Sequence, residues 1–279
     1  MIRLATFNVQ HGLGADGVVD AGRLARAVAA LDADVVALQE VDRWQARSGR
    51  SDLAAVAAEA VGAADHRFVP TVAGPVDVWG ARRRARGDEP PDVPGYGIAL
   101  LSRHPVRAWH RLRLPLAVPW LLARGQVARD EPRAALAAEL DTPDGPLTVV
   151  CTHLSAGRVQ QAGHSRPGHD QASHGPGHNV LQLRYLHVAL RVAPRPLVLL
   201  GDLNLRGEIP AQVTGLRPLA TAPTYPAARP RFQIDHVLAD GDVVAAGEAQ
   251  SVDTGVSDHR ALVVDVTLTP PRPDLRPAP

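Results

Sequence analysis

The sequence predicts a layered α/β or α+β domain built mainly of strands. Three observations point there. Short apolar, β-prone runs recur along the chain, few helical patterns separate them, and most polar residues of chemical interest fall where an apolar run stops. The 279 residues suffice to bury a sizeable core, and no internal repeat or linker divides them. Residues 1–269 are therefore expected to form one domain, followed by a Pro-rich tail, 270–279, that cannot continue a ladder.

In order, Ile2 to Val9 reads as a strand ending in polar residues. Asp20 is placed to cap a helix with Leu24, Ala27, Val28 and Leu31 at helical spacing. Val35 to Leu38 suits a buried strand that stops at Gln39-Glu40. Ser51 then caps a second, Ala-rich helix that Gly62 terminates. Gly97–Leu101, Val106–Leu112, Ala134–Leu140 and Leu147–Thr152 read as strands. A helix with Leu181, Tyr185, Val188 and Leu190 on or near one face precedes the strand Leu197–Leu200. Ile234–Leu238, Val243–Ala249 and Ala261–Leu268 close the pattern. Arg82–Pro94 (Arg-rich, then acidic and Pro-rich) and Ala156–Gly177, with little that is apolar, read as long loops.

Composition narrows the partners. Hydrophobic residues make up 45% and charged residues 21%, an ordinary balance for a globular enzyme. All 30 basic residues are Arg, and a net charge of +1 sets up no global field for nucleic acid or an anionic membrane. The single cysteine, Cys151, excludes an intrachain disulfide. No run of 18 uncharged apolar residues suggests a membrane span, and no leader-like segment precedes the first strand. The expectation is a cytoplasmic, monomeric protein.

The chemistry-bearing residues share a position. Asn8 follows Ala-Thr-Phe, Glu40 follows Ala-Leu-Gln, and His153 follows Val-Val-Cys-Thr. Asp202 and Asn204 follow Leu-Leu-Gly, Asp235 follows Gln-Ile, and Asp258-His259 follow Val-Ser. A strand ending at the rim of a layer can deliver its last side chain into a cleft on rigid backbone. Carboxylates and an amide are the hard oxygen ligands Mg²⁺ prefers, and histidines with spare carboxylates supply proton transfer and charge stabilisation. Each piece alone has a plain structural reading as a turn, a solvated residue or a packed histidine. Their joint occurrence, in this order, is what carries weight.

Thr6-Phe7-Asn8, Leu38-Gln39-Glu40, Gly97-Ile98-Ala99-Leu100-Leu101-Ser102, Thr152-His153-Leu154, Gly201-Asp202-Leu203-Asn204, Ile234-Asp235-His236 and Ser257-Asp258-His259 together resemble the endonuclease/exonuclease/phosphatase superfamily. That group is similar to deoxyribonuclease I and exonuclease III, and the likeness runs from residue 2 to 268. The resemblance implies a four-layer sandwich, with two mixed β-sheets packed face to face and helices outside. It implies an Mg²⁺-dependent hydrolase of phosphoesters, with Mn²⁺ as a substitute. Glu40 would be the principal metal ligand, assisted by Asn8 and Asp258. Asp202 would orient or deprotonate the attacking water, and Asn204 would hold the phosphate or that water. His153 would donate to a phosphate oxygen, and His259, held by Asp235, would do the remaining acid/base or charge-stabilising work. Which histidine is the base stays open. The resemblance supplies no carboxylate to orient His153. His236 reads as a packing residue, and Thr224-Tyr225-Pro226 as part of the site wall.

Two loops stand apart. Arg82, Arg83 and Arg84, with Arg86, could clamp substrate phosphate through their guanidinium forks, or simply form a solvated loop. His164, His169, His174 and His178 could bind a soft metal, or do nothing specific. The substrate stays open among nucleic acid, nucleotide, lipid and sugar phosphates. An alternative of another class is a catalytically inactive scaffold of the same fold that binds a partner through its long loops. The complete set of Glu40, Asp202, Asn204, Asp258 and His259 favours the enzyme.

Overall fold

The computed structural model describes residues 1–78, 80–87, 89–116, 120–121, 127–128, 131–156 and 177–268. The expected loop within 157–176, with His164, His169 and His174, and the expected tail lie outside the described residues. The chain begins with β1 (Ile2–Asn8), α1 (Ala21–Ala29), β2 (Val35–Arg43), α2 (Leu53–Val61) and β3 (Asp65–Ala73). The strands β4 (Arg83–Arg84), β5 (Gly95–Ser102) and β6 (Val106–Arg113) follow, then a two-stranded pair, β7 (Trp120–Leu121) and β8 (Val127–Ala128). Next come β9 (Ala134–Thr142), β10 (Gly145–His153), α3 (His178–Leu190), β11 (Leu197–Asp202), α4 (Ile209–Thr214) and β12 (Arg217–Pro218). The described chain closes with β13 (Asp235–Asp240), β14 (Val243–Ala245), β15 (Gln250–Val252) and β16 (Ala261–Leu268).

Two mixed sheets pack face to face. The first runs β14-β16-β1-β2-β5-β3-β4, with β15 also on β16, and the second runs β12-β13-β11-β10-β9-β6. In each sheet one parallel pair, β1 with β2 and β10 with β11, sits among antiparallel neighbours. One apolar layer lies between the sheets, where Leu4, Ile98 and Leu100 meet Leu136, Val149 and Leu200. On the outer face of the first sheet, Phe7, Leu38 and Leu101 pack against Leu24 and Val28 of α1 and Leu53 and Ala57 of α2. On the outer face of the second, Val150, Leu199 and Leu238 pack against Leu183, Leu186 and Leu190 of α3. This is the four-layer arrangement expected. Phe7 is fully buried, so truncating it to Ala would cost about 3–5 kcal/mol.

Local chemistry explains the boundaries and four corrections. The Asp20 carboxylate accepts from Arg23 N at 3.0 Å and caps α1 as expected. The cap of α2 is Asp52, accepting from Ala55 N at 3.1 Å, rather than Ser51, because a carboxylate satisfies the free N–H groups better than a more distant hydroxyl. Helix α3 buries Asn179, Gln182, Leu183, Leu186 and Leu190, while Leu181, Tyr185 and Val188 are exposed. Apolar side chains stand on both faces, so the spacing marks Leu181, Tyr185, Val188 and Leu190 although only Leu190 of that set is buried. Within the Arg82–Pro94 stretch, Arg83 and Arg84 pair with Ala73 and Val72 as β4. The partner, β3, escapes pattern reading because Asp65, His66, Arg67 and Pro70 interrupt it, and a register shift accommodates Pro70. Of the Val243–Ala249 run only Val243–Ala245 is strand, as β14, and β15 begins after it at Gln250. Among the described residues no helix is long and apolar enough to cross a membrane.

Candidate active site

The polar residues meet at one rim of the sandwich because strand register lines them up. In the second sheet His153 pairs with Asp202, and Asp202 with Asp235, so three adjacent strands present them in a row. Neighbouring strands lie about 4.8 Å apart, which sets the spacing of that row. Gly201 permits the close pairing: a Cβ there would lie 2.0 Å from the Thr152 carbonyl oxygen, and its φ of 152° is one few side chains adopt. In the first sheet, β1 delivers Asn8 and β2 delivers Glu40. Gln39 points inward, with Nε2 donating to Thr6 Oγ1 at 3.1 Å. Strict alternation would then turn Glu40 to the outer face. A bulge between Leu38 and Val41, with Glu40 at φ 57°, re-aims it to the rim. Asn204 (φ 51°) and Ser257 (φ 72°) share this left-handed conformation, which costs of order 1–3 kcal/mol at each non-Gly residue and is held only by the surrounding structure.

The side chains form two hydrogen-bonded groups that meet at Asp202. Asn8 Nδ2 donates to Glu40 Oε1 at 3.2 Å and to Asp202 Oδ2 at 3.0 Å, while Asn8 Oδ1 accepts from Gln10 N at 3.1 Å. Asp202 Oδ1 accepts from Asn204 N at 2.9 Å, and the Asn204 amide donates to the Leu154 carbonyl at 2.9 Å. His259 Nδ1 lies 2.9 Å from Asp235 Oδ2, which also accepts from Thr224 Oγ1 at 2.5 Å. His259 Nε2 is 3.8 Å from Asp202 Oδ2. The Tyr225 ring sits 5.0 Å from the His259 ring and walls that side, as the Thr224-Tyr225-Pro226 stretch suggested. His236 is buried and bonds the Leu205 carbonyl at 2.7 Å, a packing role.

The two catalytic-candidate histidines are held in opposite states. Burial alone would push His259 down, but the Asp235 and Asp202 carboxylates outweigh it and raise its pKa from 6.5 to about 10. His259 is therefore an imidazolium with Nδ1–H given to Asp235 and Nε2–H facing the cleft. His153 Nδ1 lies 2.8 Å from Arg133 Nη1. A guanidinium can only donate, so Nδ1 accepts and the ring proton sits on Nε2, toward Asp202 at 3.4 Å. Burial, Arg133 and the charged His259 hold the His153 pKa well below 6.5. The orienting carboxylate that motif reading left unfilled is thus replaced by Arg133. Its buried guanidinium is also paired with Glu131 at 3.1 Å. Nothing in the motifs singles out Arg133, which precedes β9. Only the register of Ala134 and Ala135 beside β10 brings it near His153.

The carboxylates are poised as acceptors. Burial raises Asp202 to about 7, with repulsion from Asp235 adding and attraction to His259 opposing. Burial and the nearby Asp258 raise Glu40, against the Asn8 amide and Arg133. A buried carboxylate raised by a second one beside it marks a place a cation would relieve, which is the fit a hard divalent metal needs. Asp202, Asp235 and His259 also offer ligand atoms within 4.8 Å of one another. Asp235 Oδ2 is already committed to Thr224 and His259, so that trio is better described as a hydrogen-bonded Asp235–His259 pair facing Asp202. Arg82, Arg83 and Arg84 are exposed on or beside β4 and do not touch the cluster among the described residues. Arg83 pairs with Glu89 at 2.8 Å, and Arg84 donates to the Leu114 carbonyl at 3.4 Å.

A face-to-face pair of mixed sheets with a carboxylate, amide and imidazole cluster at strand ends defines a class of phosphoester hydrolases. The chain belongs to the Endonuclease/Exonuclease/phosphatase family, whose model matches residues 5–259. An endonuclease/exonuclease/phosphatase from Beutenbergia cavernae is similar, at TM-score 0.63 and 24% identity over 96% of this chain and 71% of that one. One from Bacteroides vulgatus gives TM-score 0.64 and 16% identity over 96% and 99%. Sphingomyelinase C from Streptomyces griseocarneus gives 0.55 and 16% over 94% and 98%. No curated protein sequence matches the chain.

Proposed function

We propose that the protein hydrolyses phosphoesters with the help of a divalent metal, Mg²⁺ in the first place and Mn²⁺ as a substitute. The observation that carries this reading is the opposed pair of histidines around Asp202, one charged and one neutral, beside the Glu40–Asp258 carboxylates. Glu40 and Asp258 would hold the cation, with Asn8 bracing Glu40 against Asp202. When bound, the metal neutralises phosphate charge. Asp202, raised to about 7, is balanced to orient a water and take its proton as the oxygen bonds to phosphorus. His259 presents a charged Nε2–H, and His153 a neutral one, to the non-bridging phosphate oxygens as the ester bond opens, the leaving oxygen departing with the bonding pair and taking a proton from solvent. Asn204 stands beside His153 Nε2 at 3.4 Å and supplies a further N–H for the same oxygens.

The test is hydrolysis of bis-p-nitrophenyl phosphate and of a panel of mono- and diesters, with Mg²⁺, Mn²⁺ or EDTA. Metal-dependent turnover, abolished by EDTA, is expected. Full turnover in EDTA would overturn the metal requirement, and none on any ester would favour an inactive scaffold.

A further inference from the structure

A second anion-binding feature lies beside the cluster, on the open edge between the sheets. There β3 of the first sheet faces β9 of the second, and β6 is the second sheet's edge strand. On β6, Arg111 pairs with Leu136 and Arg113 with Ala134, so both arginines share the face that Leu136 and Ala134 turn toward the other sheet. Both are exposed, standing on the core-side face where it opens at the sheet edge. Arg84 reaches the same cleft from the first sheet, and Arg133 from the start of β9, with Thr71 in the wall. Arg133 also bonds His153 at 2.8 Å, so one guanidinium spans from the cleft to the candidate active site.

Four guanidiniums converge here. Among the described residues Glu131 pairs with Arg133, and Glu89 accepts from Gly87 N at 2.7 Å at the cleft's margin. Arg111 is anchored by Nη1 donating to the Gly87 carbonyl at 3.1 Å and packs where a Gly87 Cβ would stand, 1.8 Å away. Arg84 bonds a carbonyl, and the Arg113 side chain makes no hydrogen bond or ion pair among the described residues. Like charges brought together cost free energy unless an anion neutralises them, and forked guanidiniums match phosphate oxygens. Edge strands do carry inward charges to prevent aggregation, but one would suffice, and that purpose needs no help from Arg84 across the cleft.

We infer that this cleft is a phosphate-binding subsite holding a second phosphate of the substrate. Thr152 pairs with Ala135, so Arg113, Ala134 and His153 fall nearly in line across three strands. That places the second phosphate on the order of 10 Å from the scissile one. With a net charge of +1 and a single short arginine row, the site fits a small molecule bearing two well-separated phosphates on a polyol or nucleoside rather than a polymer backbone. The substrate part of this inference rests on the hydrolase reading. The anion site does not.

Inorganic pyrophosphate, titrated calorimetrically into the full chain in EDTA, tests the site without any activity. Arg111→Ser/Arg113→Ser should weaken binding by about 10²-fold, about tenfold per guanidinium lost. Arg26→Ser/Arg191→Ser, which removes the same charge elsewhere, should bind as the wild type does. Equal weakening in both pairs, or none in the first with its melting temperature preserved, would overturn the site. In a second arm, kcat/KM for a bisphosphorylated ester relative to its monophosphorylated analogue should collapse in Arg111→Ser/Arg113→Ser. An equal loss on a ten-residue oligothymidylate would overturn the small-molecule assignment. Pyrophosphate binding by a wild type that hydrolyses no ester would keep the anion site and remove the hydrolase reading.

Discussion

Asp235→Asn separates charge from geometry at His259. The Asp235 carboxylate is the largest favourable influence on that ring, followed by Asp202, and together they overcome burial. The rise from 6.5 to about 10 corresponds to about 5 kcal/mol in favour of the imidazolium. An asparagine can still turn its oxygen to His259 Nδ1 and Thr224, so the ring orientation survives. Its charge is gone, and burial then pulls the His259 pKa down to neutral or below. The amide nitrogen replaces Asp235 Oδ1, a buried atom without a hydrogen-bond partner, at a cost of about 1–3 kcal/mol in stability.

The expected kinetic result is a loss of about 10²-fold or more in kcat at pH 8, the scale of one lost transition-state donor. The profile should change shape as well. In the wild type, activity rises as Asp202 ionises near 7 and holds until His259 deprotonates near 10. In the variant, the alkaline limb should move down toward neutrality. His259→Ala should cost as much, and the double variant little more than the worse single one, because the two act as a unit. Additive losses with an unmoved alkaline limb would refute the pairing. The same shifts predict stability. Both groups are raised above their unfolded values, so each favours the proton-bound fold. Stability of the metal-free protein should fall as pH rises from 3.8 to about 7 through Asp202, and from 6.5 to about 10 through His259. Urea unfolding at pH 6 and pH 9 measures it.

Three further outcomes follow from the geometry. Glu40→Gln keeps shape but removes charge, so it should lose most activity and recover part of it at high Mg²⁺ or with Mn²⁺; near-wild-type turnover at sub-millimolar Mg²⁺ would remove Glu40 from the metal site. Arg133→Met should free His153 Nδ1 to carry the proton, seen as a tautomer change in ¹⁵N spectra, with kcat down about tenfold and Arg133→Lys partly restoring both. An unchanged tautomer would mean that Arg133 does not position the ring. Cys151 is fully buried and its thiol is pushed up to about 12, so a thiol reagent at pH 8 should label it only in denaturant; rapid native labelling would contradict the packing between sheets.

The strands and the cluster were largely legible because each motif ends an apolar run, and register turns strand ends into neighbours. Asn8, Glu40, Asp202, Asn204, Asp235 and His259 are joined as that logic requires. What sequence could not carry is long-range placement with no local mark. Arg133 looks like any surface arginine until β9 pairs with β10. Arg111 lies in an ordinary expected strand and Arg113 just past its expected end, and only register shows that they share the core-side face at the open edge. The Arg82–Arg84 run drew notice by density, yet Arg83 is neutralised by Glu89 and only Arg84 lines the cleft. Charge density is local, whereas convergence is a property of the fold.

The two histidines show why partner polarity, not residue type, sets function at such a rim. Both are buried beside Asp202, within 3.4 and 3.8 Å of the same oxygen. Had each been backed by a carboxylate, two imidazoliums would crowd a single acceptor and repel one another. A guanidinium behind His153 and a carboxylate behind His259 divide the labour: one ring is a neutral donor at any working pH, the other a fixed charge. Asp202 then remains the one group near neutrality that can exchange a proton. That division makes a sharp demand. If Arg133→Glu, which reverses the polarity behind His153, also raised that ring into an imidazolium, the acidic limb attributed to Asp202 should shift down as a second positive charge favours its ionised form. A limb that stayed in place would mean that Asp202 is not the group that titrates there.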